Sequence, residues 1–190
     1  MTPAIRPRHA LTEQAVGSIL HTVADLHARP TPTSSRGRIA TTSQIAEQGA
    51  LLRIVSITEA YLDSLSLQEV MRTVPPSPMT SKLVETFETS TTTTWRARRQ
   101  SFKTHHGIDL VKCARWNDLD AAIDVRNSIA HALGRVTAFL RRNSQLATKV
   151  GRIGVIVANG QMLLSDSTVD KVASVCADFI YDVDSKVPIP

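Results

Sequence analysis

From Ser43 to Thr73 the chain contains no proline, and then Pro75, Pro76 and Pro78 follow almost at once. Ile45, Leu51, Leu52, Ile54, Val55, Ile57, Leu62 and Leu65 recur inside that stretch at helical spacing, so it predicts one long helix that the prolines end. A single helix of about 45 Å cannot bury its apolar side alone. It therefore predicts the central element of a helical bundle, with the other helices laid along it.

The rest of the sequence supplies those helices. Thr12 predicts the cap of a helix through about Leu26, with Val16, Ile19, Leu20, Val23 and Leu26 turned inward. Residues 29–37, rich in Pro, Thr and Ser, predict a linker. Thr80 or Ser81 opens another helix with Leu83, Val84 and Phe87 inward. The β-branched run Thr89–Thr94 predicts a break before a helix from Trp95 to Gly107. Asn117, with Asp120 three residues on, predicts the capped start of a helix to about Leu133, and Val136–Leu140 adds more helix. Asn159-Gly160, flanked by apolar residues on both sides, predicts a tight hairpin. Ser167 and Asp170 predict the capped start of a last helix to about Val183. The fold class is mainly α, a bundle with one small hairpin and a final helix.

The Asn117–Leu133 helix carries an anomaly. Leu119, Ala122, Ile123, Val125, Ile129, Ala130 and Leu133 form its apolar arc, and Arg126 falls inside that arc. An unpaired buried charge costs several kcal/mol, comparable to the whole margin of folding stability. Arg126 therefore needs either an acidic partner from another helix or a route for its head to solvent. Asn127 adjoins it, and His131, four residues beyond Asn127, shares the face of Asn127.

Asp124-Val125-Arg126-Asn127-Ser128-Ile129-Ala130-His131 resembles the signature of HEPN domains, an arginine and a histidine four to six residues apart with a polar residue beside the arginine. Within that superfamily the chain is most similar to the RiboL-PSP-HEPN group. The supporting features are Glu59-Ala60-Tyr61-Leu62 in the long helix, Trp95-Arg96-Ala97-Arg98-Arg99 ahead of the motif, and a hairpin and last helix after Lys149. The resemblance covers residues 43–184 and implies an HEPN-like helical domain there, with the hairpin at about 150–165. Residues 1–42 form an N-terminal helix with its linker and residues 185–190 a tail.

An imidazole can take a proton from a 2′-hydroxyl or give one to a departing 5′-oxygen, and a guanidinium can stabilise charge on phosphoryl oxygens. That inventory suits metal-independent RNA cleavage that leaves a 2′,3′-cyclic phosphate. The resemblance implies the same activity, with Arg126 and His131 the catalytic pair, Asn127 their polar helper, and no cofactor or metal. Glu59 and Asp124 are the acids placed to accept from Arg126 or His131, a structural ion pair being the simpler role for each. Five residues of regular helix turn through roughly 140°, so Arg126 and His131 cannot both point at one phosphate unless the helix is irregular, the arginine reaches around, or two chains share the site. The family pattern is a symmetric dimer, which implies a homodimer with a composite site. Toxins of the family that are silenced by nucleotidyltransferases usually carry a tyrosine two residues after the histidine. Here Ala132 and Leu133 follow His131, so another inhibitor, antitoxin or defence-system partner is implied.

The formal net charge of +5 fits a polyanionic partner. Arg96, Arg98, Arg99 and Lys103, interleaved with Trp95 and Phe102, together with Arg135 beyond the motif, are the expected RNA-facing residues; tRNA is among the candidate substrates. No apolar run approaches a membrane span and no secretory leader is evident, which predicts a cytoplasmic protein without a membrane partner. Cys113 and Cys176 predict free thiols, and with His105-His106 they make no zinc spacing. The alternative function is a non-catalytic RNA-binding or dimerisation module of a defence complex. A DNA-binding regulator would need a helix-turn-helix pair, and the sequence offers none that convinces.

Overall fold

The computed structural model describes residues 10–29, 38–73, 75 and 77–187. Helix α1 spans Ala10–His27, α2 Arg38–Thr73, α3 Pro78–Thr91, α4 Trp95–His105 and α5 Trp116–Ala132. Two short helices, α6 (Ala138–Arg141) and α7 (Leu146–Gly151), lead to strands β1 (Ile156–Ala158) and β2 (Gln161–Leu163), and α8 (Asp166–Lys186) follows. The fold is mainly helical, with one antiparallel hairpin and a long last helix.

Helix α2 is the axis, as its uninterrupted apolar spacing predicts. Its buried Leu51, Ile54, Val55, Leu62 and Leu65 meet Leu119, Ala122 and Val125 of α5 and Val172, Val175 and Phe179 of α8 in one cluster. Helix α1 packs across α2 and α8 and adds Ala15, Val16, Ile19 and Leu26 to that cluster. Helices α3 and α4 lie against the later turns of α2.

Several boundaries differ from the sequence reading, each for a local reason. Thr12 is no cap: it sits inside α1, fully buried, with its hydroxyl 3.3 Å from Tyr61 Oη. Residues 30–37 of the linker lie outside the described residues. Helix α3 starts at Pro78 and continues through Thr91, with the hydroxyls of Thr86 and Thr89 turned back onto the carbonyls of Lys82 and Glu85. Thr94 then caps α4, accepting from the Ala97 amide at 3.1 Å. Helix α5 opens at Trp116 behind Arg115 in a left-handed conformation (φ 62°), without the Asn117 cap. The cap of α8 is Ser165 with Thr168 rather than Ser167 with Asp170. Leu20 and Ile45, expected inward, are 60% and 65% exposed.

The end of α5 is fixed by the hairpin. Gly134 (φ 78°) accepts from the Met162 amide at 2.9 Å, and the Val136 amide donates to the Gly160 carbonyl at 2.8 Å. Residues 134–136 thus lie along β2, and Arg135 pairs with Gln161. A Cβ on Gly134 would sit 2.8 Å from Gln48 Nε2. Gly134→Ala should therefore cost about 1–2 kcal/mol in denaturant unfolding, from left-handed backbone strain.

Leu133, the neighbouring cap residue, also has a positive φ (52°) and is 87% exposed. A leucine there carries strain and gains no burial within one chain. Leu133→Asn is expected to raise the stability of the isolated chain by roughly 0.5–1 kcal/mol. A loss instead would mean that another molecule covers Leu133.

Candidate active site

The α5 hydrogen-bond ladder is regular from Trp116 to Ala132, so the irregular-helix way of bringing Arg126 and His131 together does not apply. Arg126 faces α2 with its side chain 27% exposed. Its Nη2 donates to Glu59 Oε2 at 3.2 Å, its Nη1 donates to Asn127 Oδ1 at 3.1 Å, and its buried Nε has no partner. Glu59, 12% exposed, is the acid that the position of Arg126 demands. Of the five N–H groups of a guanidinium two are engaged and one is enclosed, which leaves two unengaged.

His131 lies on the last turn of α5, exposed, with no hydrogen-bond or ion-pair partner among the described residues. Asn127 does not reach it; the Asn127 amide oxygen is taken by Arg126. Within one chain the three motif residues therefore form an anchored Arg126–Asn127 pair and a free imidazole further round the helix.

Asp124 goes elsewhere. The Lys149 ammonium from α7 sits 2.6 Å from both Asp124 Oδ2 and Asp120 Oδ2. Burial pushes the Lys149 pKa down, but the hydrogen bonds to Asp120 and Asp124 outweigh it and hold the ammonium above its ordinary value. Asp124 thus fastens α7 to the motif helix and contacts neither Arg126 nor His131.

A second arginine lies behind the first. Arg98 of α4, expected on the RNA-facing side, is 9% exposed. Its Nε and Nη2 donate to the two Asp63 oxygens, each at 2.8 Å, and its Nη1 lies 3.9 Å from Glu59 Oε1. Glu59 therefore stands between two guanidinium groups, and the cluster of Arg126, Glu59, Arg98 and Asp63 is neutral overall. The inward turn of Arg98 is legible in its helical phase, since Trp95 and Phe102 lie on the same side of α4. Asp63 has no comparable signal, because nothing local says which acid of α2 faces α4.

Arg96, Arg99 and Lys103 are exposed on the outer face of α4, and Arg99 lies over the Trp116 ring at 5.3 Å. Trp95, Trp116 and Phe179 form a row with centroids 6.0 and 6.1 Å apart. Arg135 is exposed beyond the motif and shares a cavity of about 330 Å³ with Arg141 at the hairpin turn.

Burial raises the Cys113 thiol to about 11 and the Cys176 thiol to about 12. Neither is a thiolate at neutral pH, so neither serves as a nucleophile. Native protein is expected to resist iodoacetamide, with two adducts by mass only after unfolding. Among the described residues no group of three or more His, Cys, Asp or Glu is placed to hold a metal ion, and no helix is long and apolar enough to cross a membrane.

Comparison with family models, with curated proteins and with solved structures finds no match to the chain.

Proposed function

We propose that the chain is a metal-independent endoribonuclease of HEPN type, acting in toxin or anti-phage defence. It cuts RNA by 2′-hydroxyl attack and leaves a 2′,3′-cyclic phosphate. The observation that carries this reading is Arg126. Glu59 and Asn127 orient its guanidinium and leave two N–H groups free, while an unpartnered imidazole stands five residues along the same helix. A structural ion pair alone has no use for that imidazole.

In the reaction His131 removes the 2′-hydroxyl proton or protonates the departing 5′-oxygen. Arg126 stabilises the charge that grows on the phosphoryl oxygens. Asn127 positions Arg126. Because α5 is regular and Arg126 is held toward α2 by Glu59 and Asn127, the site in this reading is completed by a second copy, whose His131 faces the Arg126 of the first across a two-fold axis. Arg96, Arg99, Lys103 and Arg135 hold flanking phosphates, and the protein works in the cytoplasm.

The engagement of Arg126 by two neighbours also favours the second reading, an RNA-binding or dimerisation module without catalysis. Purified protein incubated with tRNA and total RNA in EDTA separates the two. Chelator-resistant cutting to cyclic-phosphate ends, lost in His131→Ala, supports the nuclease; binding without cutting supports the module.

A further inference from the structure

A cleft lies away from the motif, between the last turns of α2, helix α3 and the end of α4. Its volume is about 610 Å³, within the range of small-molecule sites (roughly 300–1,000 Å³). It sits roughly 15 Å further along α2 than Glu59. Phe87 and Val70 supply apolar wall, and the His105 ring stands edge-on to Phe87 with centroids 5.3 Å apart.

The Arg72 guanidinium and the His105 and His106 rings bring donors to this cleft, while its hydroxyls are acceptors. Thr73 spends its proton on the carbonyls of Glu69 and Val70, Thr86 on that of Lys82, and Ser90 on that of Phe87. Each hydroxyl can then offer only lone pairs to a ligand. Glu69, 9% exposed, takes Arg72 on Oε2 at 2.9 Å, and its Oε1 has no hydrogen bond among the described residues. His106 is held from behind, its Nε2 2.7 Å from Ser66 Oγ.

An apolar slot with an aromatic side wall, hydroxyl lone pairs and a half-free carboxylate selects a flat molecule with N–H donors along one edge. Among nucleobases guanine alone presents two adjacent donors, N1–H and the 2-amino group, to a carboxylate. Arg99 and Lys103 follow the exposed side of α4 toward His106, so a phosphate chain lying on them would bring a base to this slot. We infer that the cleft formed by Glu69, Phe87, His105 and His106 receives a guanine base of the bound RNA strand, away from the site of cleavage. The proposed nuclease function enters only as the source of the base.

The test uses the 190-residue chain carrying His131→Ala, which binds without cutting, and short oligouridylates carrying one central guanosine, inosine or adenosine. Inosine lacks the 2-amino group. The guanosine strand is expected to bind roughly 10–100-fold more tightly than the other two. Glu69→Gln removes that preference, and Phe87→Ala weakens guanosine binding roughly tenfold. Thermal melts establish that each variant is folded, and Phe87→Ala, on the half-exposed face of α3, stands in if Glu69→Gln fails to fold. Equal binding of the three strands, or guanosine binding untouched by Phe87→Ala, overturns the inference, while cutting by the wild type in the same samples leaves the nuclease reading intact. Guanine-selective binding without any cutting does the reverse. Binding of free guanosine monophosphate as tight as that of the strand shows the same chemistry serving a free nucleotide, and overturns the assignment to the substrate strand.

Discussion

Replacing His131 by alanine is expected to lower chelator-resistant RNA cleavage by roughly 10²–10⁴-fold, the usual worth of a positioned general acid or base, with no loss of stability. The second half of this expectation is what gives it force. His131 is exposed and touches no described partner, so its removal leaves no cavity and no orphaned polar group. Activity should collapse while the melting temperature and RNA affinity stay where they were. Arg126→Ala should lower cleavage comparably but also disturb the fold, because Glu59 would then keep only the longer contact to Arg98 at 3.9 Å. Mixing the two inactive variants supplies a further test. If the site spans two chains, a heterodimer of His131→Ala and Arg126→Ala retains one intact composite site and recovers part of the activity. No recovery, with subunit exchange demonstrated, confines the site to one chain. Full cleavage by His131→Ala ends the assignment of catalysis to this motif.

The largest effect on stability is expected at Asp63. Both of its oxygens accept from Arg98 at 2.8 Å, and the side chains are only 10% and 24% exposed. Asp63→Ala leaves a buried guanidinium with Glu59 as its remaining acid, and that acid is already shared with Arg126. Breaking one partner of a buried pair costs about 3–5 kcal/mol, which for a chain of this size lowers the melting temperature by on the order of 10 °C. Glu59 is also expected to move toward Arg98 and loosen its hold on Arg126, so cleavage falls even at temperatures where the variant is folded. Replacing both partners together, Asp63→Leu with Arg98→Met, removes the charges in register and should recover most of the lost stability. A melting temperature within about 2 °C of wild type for Asp63→Ala would show that this pair carries little.

How legible the site is depends on the range of the interaction involved. Arg126 stands out from local phase alone, since a cation inside an apolar arc demands an acid, and Glu59 is that acid. Arg98 is misread when α4 is taken as one basic stretch, yet its phase beside Trp95 and Phe102 turns it inward. Asp124 is next to the motif in sequence but is drawn off by Lys149, which arrives from α7. Sequence proximity favours Asp124 as a partner for Arg126; the approach of α7 decides otherwise. The cleft at Glu69 and Phe87 is invisible from sequence, because three helices must meet before it exists.

The chain by itself determines its helices, their approximate ends and the hairpin at Asn159-Gly160, because spacing, prolines and turn residues act through the nearest few neighbours. It also singles out Arg126 and His131 as residues in need of explanation. Tertiary structure alone decides that Glu59 sits between two arginines, that Asp63 holds Arg98, and that Leu20, Ile45 and Leu133 face outward. Periodicity says that a helix has an apolar side but not which helix will cover each part of it. Where a charge lies between two possible partners, the choice passes to whichever backbone comes within hydrogen-bond reach.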